Sequence, residues 1–283
     1  KMKINSPNPA QRKEPQNVMR HLMYRNYIAI LVGLLWTSNI FGQVQNDVKD
    51  VLAKKDFVSF MAFTDTLSKR ENKITCHWSI FRDLTTDFKE GVFYINKSVP
   101  DTKNPGVSSV YTFRVRLLTT DKTIVYYDLS EKRNKKVKKE WVPYYDSLDY
   151  YRNDSLFTLL RLSFFKSFDG ELNEAELFID DLVYGQACGI IGDDPNEKMI
   201  IDNLVKTKNK VELVKWIKST NFEKQIYAVD GLYQLKENGT TYTIEELKLI
   251  KNVLDKKGTI FHCRGCVHSW TDVRMVTYKF KFE

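Results

Sequence analysis

The spacing of apolar positions changes period twice along the chain. Val48, Val51 and Leu52 recur at helical intervals among Asp47, Lys49 and Asp50, and Phe57, Phe60, Met61 and Phe63 continue the apolar side. This predicts a helix over 47–72. From Ile74 the period becomes two. Ile74–Phe81 and Gly91–Ile95 are rich in β-branched and aromatic residues. Over Val110–Leu118, Tyr111, Phe113, Val115 and Leu117 alternate with polar positions that include Arg114 and Arg116. Thr119–Lys122 reads as a turn and Thr123–Leu129 as the returning strand of a hairpin. Trp141–Tyr145 is a further strand, placed at an edge because Pro143 cannot donate to a ladder. A helix followed by a meander predicts a small α+β domain.

From about Ser155 the period is 3.6. Asn173 and Glu176 read as a cap before an apolar run at 177–183, and Asp194, Pro195 and Glu197 as a second helix start. Val211, Val214 and Ile217 form a third stripe. Asn221 caps a fourth helix carrying Phe222, Ile226, Val229 and Tyr233, which Asn238-Gly239 stops. Thr243 and Glu246 form a capping box for a fifth, ending near Gly258. The last segment returns to period two, with Val276, Tyr278, Phe280 and Phe282 alternating with Thr277, Lys279 and Lys281. The expected fold is therefore α+β: an N-terminal helix with an antiparallel sheet, then an α-helical region, HEAT-like or a bundle, and a C-terminal strand that pairs with the first sheet.

The N-terminus changes the meaning of the charge. Lys1, Lys3, Arg12, Lys13, Arg20 and Arg25 face one acid, Glu14, ahead of ten apolar residues, 27–36. That run is about half of a membrane span, and it reads as a signal peptide with cleavage near Gly42–Gln43. The Gly-Gln junction resembles export signals of some Gram-negative bacteria, and Met23 is a candidate start. The expected organisation is 1–42 signal peptide and upstream tail, 43–150 α+β domain, and 151–283 helical domain with a C-terminal Cys-x-x-Cys and strand. The protein is then exported, periplasmic or secreted, with no stable membrane span after cleavage. The whole chain of 283 residues has 44 basic and 36 acidic residues, a net charge of +8. Loss of 1–42 lowers these to 38 and 35, a net of +3, which removes the main support for nucleic acid as partner.

Ala228-Val-Asp-Gly-Leu-Tyr-Gln-Leu235 resembles the second helix of a HEAT or armadillo repeat, where small residues allow close helix approach. The resemblance spans about 209–258 and implies a scaffold or binding surface without catalytic residues.

Candidate chemistry centres on the cysteines. Cys76, Cys188, Cys263 and Cys266 allow three pairings, and export favours oxidation. A clip between Cys263 and Cys266, turned at Gly265, is expected first; Cys188 with one of the two is the rival. His262 and His268 flank the motif and make a Cys/His metal site the second alternative. Gln186-Ala-Cys-Gly189 resembles the caspase nucleophile signature but breaks at Ile190. Asp169–Glu176 resembles half of an EF-hand loop, yet Phe165 stands where the first calcium ligand belongs.

Two surface features remain. Lys132–Lys139 holds six basic residues in eight, among them Lys135, Lys136, Lys138 and Lys139; it reads as a solvated hairpin tip or a charged edge that blocks strand pairing, with a site for acidic glycans or nucleic acid as the alternative. Tyr144, Tyr145, Tyr150 and Tyr151, interspersed with Asp146, Asp149 and Asp154, read as a packed junction or a sugar-binding platform. Phosphate loops, dinucleotide fingerprints and zinc-protease motifs do not occur, and the chain after residue 42 has three histidines, His77, His262 and His268. The expected function is an exported, non-enzymatic binding or interaction module for a protein or glycan, with no cofactor. The alternative is an exported glycan- or peptide-directed hydrolase.

Overall fold

The computed structural model describes residues 43–283, apart from 71–72, 102, 105, 189–191, 266 and 283. The signal-peptide reading of 1–42 falls outside these residues. The chain divides into two compact units, Lys1–Asp50 and Val51–Glu283. Helix α1 covers 43–53 and α2 covers Phe57–Arg70. The single helix expected over 47–72 is thus broken at Lys55, whose φ of 56° is left-handed, and at Asp56, which accepts hydrogen bonds from the backbone N–H groups of Val58 and Ser59 at the start of α2.

Five antiparallel strands follow in chain order: β1 (Ile74–Asp83), β2 (Lys89–Pro100), β3 (Ser108–Thr119), β4 (Ile124–Val137) and β5 (Glu140–Arg152). β5 is an edge, as Pro143 required. On one face Phe93, Val115 and Leu129 lie in register and are buried under α2, whose Phe60 ring meets Trp78 and Phe93 at 6.1 and 6.0 Å. Period-two alternation puts Tyr94, Arg114, Arg116 and Asp128 on the opposite face.

The helical part comprises α3 (Asp154–Phe168), α4 (Asn196–Lys206), α5 (Lys210–Ile217), α6 (Phe222–Glu237) and α7 (Ile244–Leu254). Asn153, Asn209, Asn221 and Thr243 cap α3, α5, α6 and α7, and Thr243 with Glu246 forms the reciprocal box. These helices share a core with the sheet through Leu84, Phe88, Leu118 and Val125.

The HEAT-like expectation is wrong. Among the described residues no helical repeat is present; the protein is mixed α+β, with the five-stranded sheet and a small mixed sheet. Gly231 does mark close helix approach. A Cβ at Gly231 would come within 2.7 Å of Leu213 and 3.0 Å of Ile201. Those neighbours belong to α5 and α4, which pack on a central α6 buried over most of its surface.

Two further segments depart from expectation. The run at 177–183 is not helical: a 3₁₀ turn, Glu174–Glu176, stops at Leu177, and Phe178 takes a φ of 62°. The Phe178 N–H then donates to Glu90 of β2. The C-terminal strand expected at 276–282 is instead a short helix, α8 (Arg274–Thr277), and a tail. Val276 and Phe280, four apart, are buried while Tyr278 is exposed, so the apolar pair fits a helical turn as well as alternate strand positions. The strands of this region lie earlier. β6 (Tyr184–Gln186) runs parallel to β7 (Thr259–Arg264), which pairs antiparallel with β8 (Val267–Asp272).

Candidate functional site

The tyrosines of β5 are divided between the two faces of the sheet. Tyr144 and Tyr151 lie opposite Arg133 and Tyr127, on the α2 side. There the Tyr151 ring stacks on Tyr127 at 5.8 Å and Lys55 sits 4.0 Å above it. Tyr145 and Tyr150 lie opposite Lys132 and Asp128, on the other face. The four tyrosines therefore do not form one surface. A bulge at Leu129/Ser130 separates the two pairs and shifts the register by one residue. Nothing in the tyrosine spacing alone discloses it.

Two cross-strand rows build the second face. Strand register aligns His77, Tyr94, Arg114, Ser130 and Ser147 in one, and Val92, Arg116, Asp128 and Tyr150 in the next. The Arg114 guanidinium lies 3.5 Å above the Tyr145 ring. Tyr126 meets Tyr150 edge-on at 5.4 Å and stacks on Phe178 at 5.6 Å. The 177–183 segment borders the face, and its Asp180 accepts a 2.8 Å hydrogen bond from Tyr94. Burial, with the Asp180 charge, pushes the Tyr94 hydroxyl well above the ordinary tyrosine range, so Tyr94 is a fixed donor.

The charges on this face are unequally served. Arg116 has Asp128 at 3.7 Å, an ion pair too long for a hydrogen bond. Arg114 has no carboxylate pair among the described residues, and its buried Nε has no hydrogen-bond partner. Its pKa is lowered from the usual arginine value, first by burial and then by the like charge of Arg116. The sequence pattern places Arg114 and Arg116 only as polar alternates of a strand. The signal that distinguishes them is tertiary: the aromatic neighbours come from β2 and β5.

The lysine run forms a hairpin tip. Val137 pairs with Glu140, and Lys138 turns the chain with a φ of 56°. Lys135 reaches Tyr144 at 5.3 Å, while Lys136, Lys138 and Lys139 are exposed.

The cysteine bridge joins Cys188 to Cys263, with Cα atoms 5.7 Å apart. Cys263 therefore does not pair with Cys266, which itself lies outside the described residues. The parallel pairing of β6 with β7 causes this, since it brings Gly185 opposite Cys263 and carries Cys188 alongside. A Cβ at Gly185 would lie 2.4 Å from the Cys263 carbonyl oxygen and 2.5 Å from its Sγ. Cys76 lies apart, its Sγ 3.8 Å from the Thr64 carbonyl oxygen. The bridge uses the Cys263 thiolate that the metal reading needed. His262 and His268 also project from opposite faces of the β7–β8 hairpin: His262 stacks on Tyr184, and His268 lies beside Phe261. Among the described residues no group of His, Cys, Asp and Glu is spaced to hold a metal. Three of the four acids of the EF-hand-like segment are engaged by cations, Asp169 by Lys218, Glu174 by Arg152, and Glu176 by Lys224.

His262 lines a cleft of about 470 Å³ with Tyr184, Lys198, Asp230, Arg264 and Lys279. Its pKa is lowered by burial and then by Arg264 and Lys279. Asp230 is already engaged, accepting from Tyr184 at 2.9 Å and from Gln234 at 3.2 Å.

No protein family, curated protein or solved structure matches this chain. Among the described residues no helix is long and apolar enough to cross a membrane.

Proposed function

We propose that this chain is an exported, non-enzymatic binding module whose recognition surface is the polar face of the five-stranded sheet. The observation that carries the reading is the gathering of Tyr94, Tyr126, Tyr145 and Tyr150 on one face, beside two arginines. Tyrosine rings supply contact area with a polar tip and little conformational freedom to lose. Tyr150 keeps 56% of its surface exposed. The cystine supports export, because such bridges persist in oxidising compartments.

The test is capture on an immobilised panel of polysaccharides and peptides. Tyr145→Ala with Tyr150→Ala is expected to abolish binding, while Tyr151→Phe on the α2 side leaves it unchanged. Equal loss in the double variant and in Tyr151→Phe, with unaltered melting, would remove the face from consideration. The hydrolase reading has its own location, the cleft that His262 and Asp230 both line. Turnover of any panel member that His262→Ala eliminates would favour it.

A further inference from the structure

A half-buried guanidinium without a counter-ion is costly to maintain. Burial of a charge is tolerated where it is paired and hydrogen-bonded, and each unsatisfied buried polar atom calls for an explanation. Arg114 meets neither condition: its Nε is buried and unpartnered. Its guanidinium carbon already lies over the Tyr145 ring, 3.5 Å from the ring centre. Arg116, two residues along the same strand and on the same face, adds a second positive charge whose Nε is equally without a hydrogen bond. The acids nearby are committed or distant. Asp180 accepts from Tyr94 and Ser79, and Asp128 accepts from Ser147 at 2.9 Å while standing 3.7 Å from Arg116. Lys132 lies opposite Tyr145 on this face and leads into the lysine tip of the hairpin.

We infer that the sheet face binds an anionic polysaccharide, whose acidic groups pair with Arg114 and Arg116 while its sugar rings lie against Tyr145 and Tyr150. This rests on the binding-module reading and gives it a ligand class. An arginine fork matches carboxylate and sulfate or phosphate oxygens two at a time, and an arginine held flat on an aromatic ring loses less freedom on pairing. The charge balance favours a polyanion: Arg114, Arg116 and Lys132 share the face with Asp128, which Ser147 engages, and Asp180, which Tyr94 and Ser79 engage. Protein interfaces also use arginine and tyrosine, so an acidic polypeptide is the rival that the experiment includes. The lysine tip supplies attraction at longer range, which draws a polyanion toward the face and weakens as salt rises.

The experiment is affinity electrophoresis of the full chain through gels containing polygalacturonate, heparin, dextran or poly-glutamate, at low and physiological salt. Polygalacturonate and heparin present carboxylate and sulfate on sugars, so the stronger of the two identifies the acidic group. Retardation by either of them, with none by dextran, is expected. Arg114→Gln should weaken it by roughly tenfold or more, the scale of a lost charge-assisted hydrogen bond. Arg114→Lys should weaken it nearly as much, because an ammonium keeps the charge and loses the fork. Melting temperature and circular dichroism confirm that each variant is folded, and Tyr151→Phe, on the α2 side of the sheet and outside the proposed site, serves as a second variant that should retain binding. Dextran binding that Tyr145→Ala abolishes and Arg114→Gln leaves intact would overturn the anionic class while upholding the face as a binding surface. Binding of poly-glutamate as tight as that of either acidic glycan would overturn the carbohydrate. Retention of full binding by Arg114→Gln, with loss on changing Lys135, Lys136, Lys138 and Lys139 to Gln, would move the site to the hairpin tip and overturn the proposal. Absence of retardation by polygalacturonate and heparin would refute it outright.

Discussion

Arg82 and Glu223 are 141 positions apart in sequence and 2.6 Å apart in the fold, and both side chains are buried. Arg82 also bonds Glu90 at 2.6 Å, so one guanidinium ties β1 to β2 and to the first turn of α6. Two carboxylates keep it charged and offset its burial. The Glu223 carboxylate in addition accepts from the N–H of Phe261 in β7. The sheet and the helical part therefore meet at a buried charge cluster as well as in an apolar core.

Glu223→Ala leaves Arg82 with one carboxylate and deepens a deficit that already exists, since its Nη2 has no partner. Breaking a buried pair from one side costs about 3–5 kcal/mol. Chemical denaturation should show a loss of that order. A loss below about 1 kcal/mol, the value of an exposed pair, would mean that water enters the cluster.

Lys256 lies in the same cluster, its Nζ 2.8 Å from Gln225 and 4.5 Å from the Phe222 ring centre. Burial, together with the charge of Arg82, lowers its pKa to about 7. Between that value and the usual lysine range the unfolded chain holds a proton that the native chain has released. Stability due to this group should then rise with pH from about 7 to 10, with a slope of at most about 1.4 kcal/mol per pH unit. Below about pH 7 both states are protonated and the burial penalty is fully present. Melting curves over this window should lose that slope in Lys256→Met; an unchanged slope would locate it in another group.

The Cys188–Cys263 bridge closes a loop of 75 residues. The chain-entropy relation gives it about 4 kcal/mol, against the 1–2 kcal/mol expected for a clip between Cys263 and Cys266. Peptide mapping without reduction should join the fragments carrying Cys188 and Cys263. Reduction should lower the melting temperature by far more than a three-residue clip allows.

Gly258 brings the chain into β7 against β1. Its φ is 116°, and a Cβ there would lie 2.4 Å from the Arg82 Cα and from the Phe81 carbonyl oxygen. Because both atoms are backbone or fixed to it, Gly258→Ala has no soft direction of relief. It should destabilise by about 2 kcal/mol or more, and hydrogen exchange should rise first across β7. The exposed Gly239→Ala, with nothing near its Cβ, separates left-handed strain from collision.

The legibility of the sequence followed the range of the interactions. The capping residues Asn221 and Thr243 announce α6 and α7 because a cap acts within four residues, and the alternation around Phe113 and Val115 announces β3 for the same reason. The segment at 177–183 carries a helix-like pattern, but Glu90 and Tyr94, about ninety positions earlier, hold its backbone and Asp180 elsewhere. The cystine is the second-ranked pairing for the same reason. Local spacing favoured Cys263 with Cys266, while the deciding contact, β6 beside β7, is a pairing across more than seventy residues. Arg114 was in view from the first as a polar alternate; its stack on Tyr145 depends on a β4–β5 register reset by a bulge.

The β4–β5 hairpin runs past its neighbour. Pairing of β3 with β4 stops at Phe113 and Glu131, whereas β4 and β5 continue from Lys132–Tyr145 to Val137–Glu140. Beyond Glu131 the ribbon has two strands, and 132–143 are exposed throughout. A two-stranded ribbon is marginally stable by itself, so this arm is the part of the sheet least protected against local opening. The lysines are thus mounted on a lever whose order is set by what it touches, with its fulcrum beside Arg114.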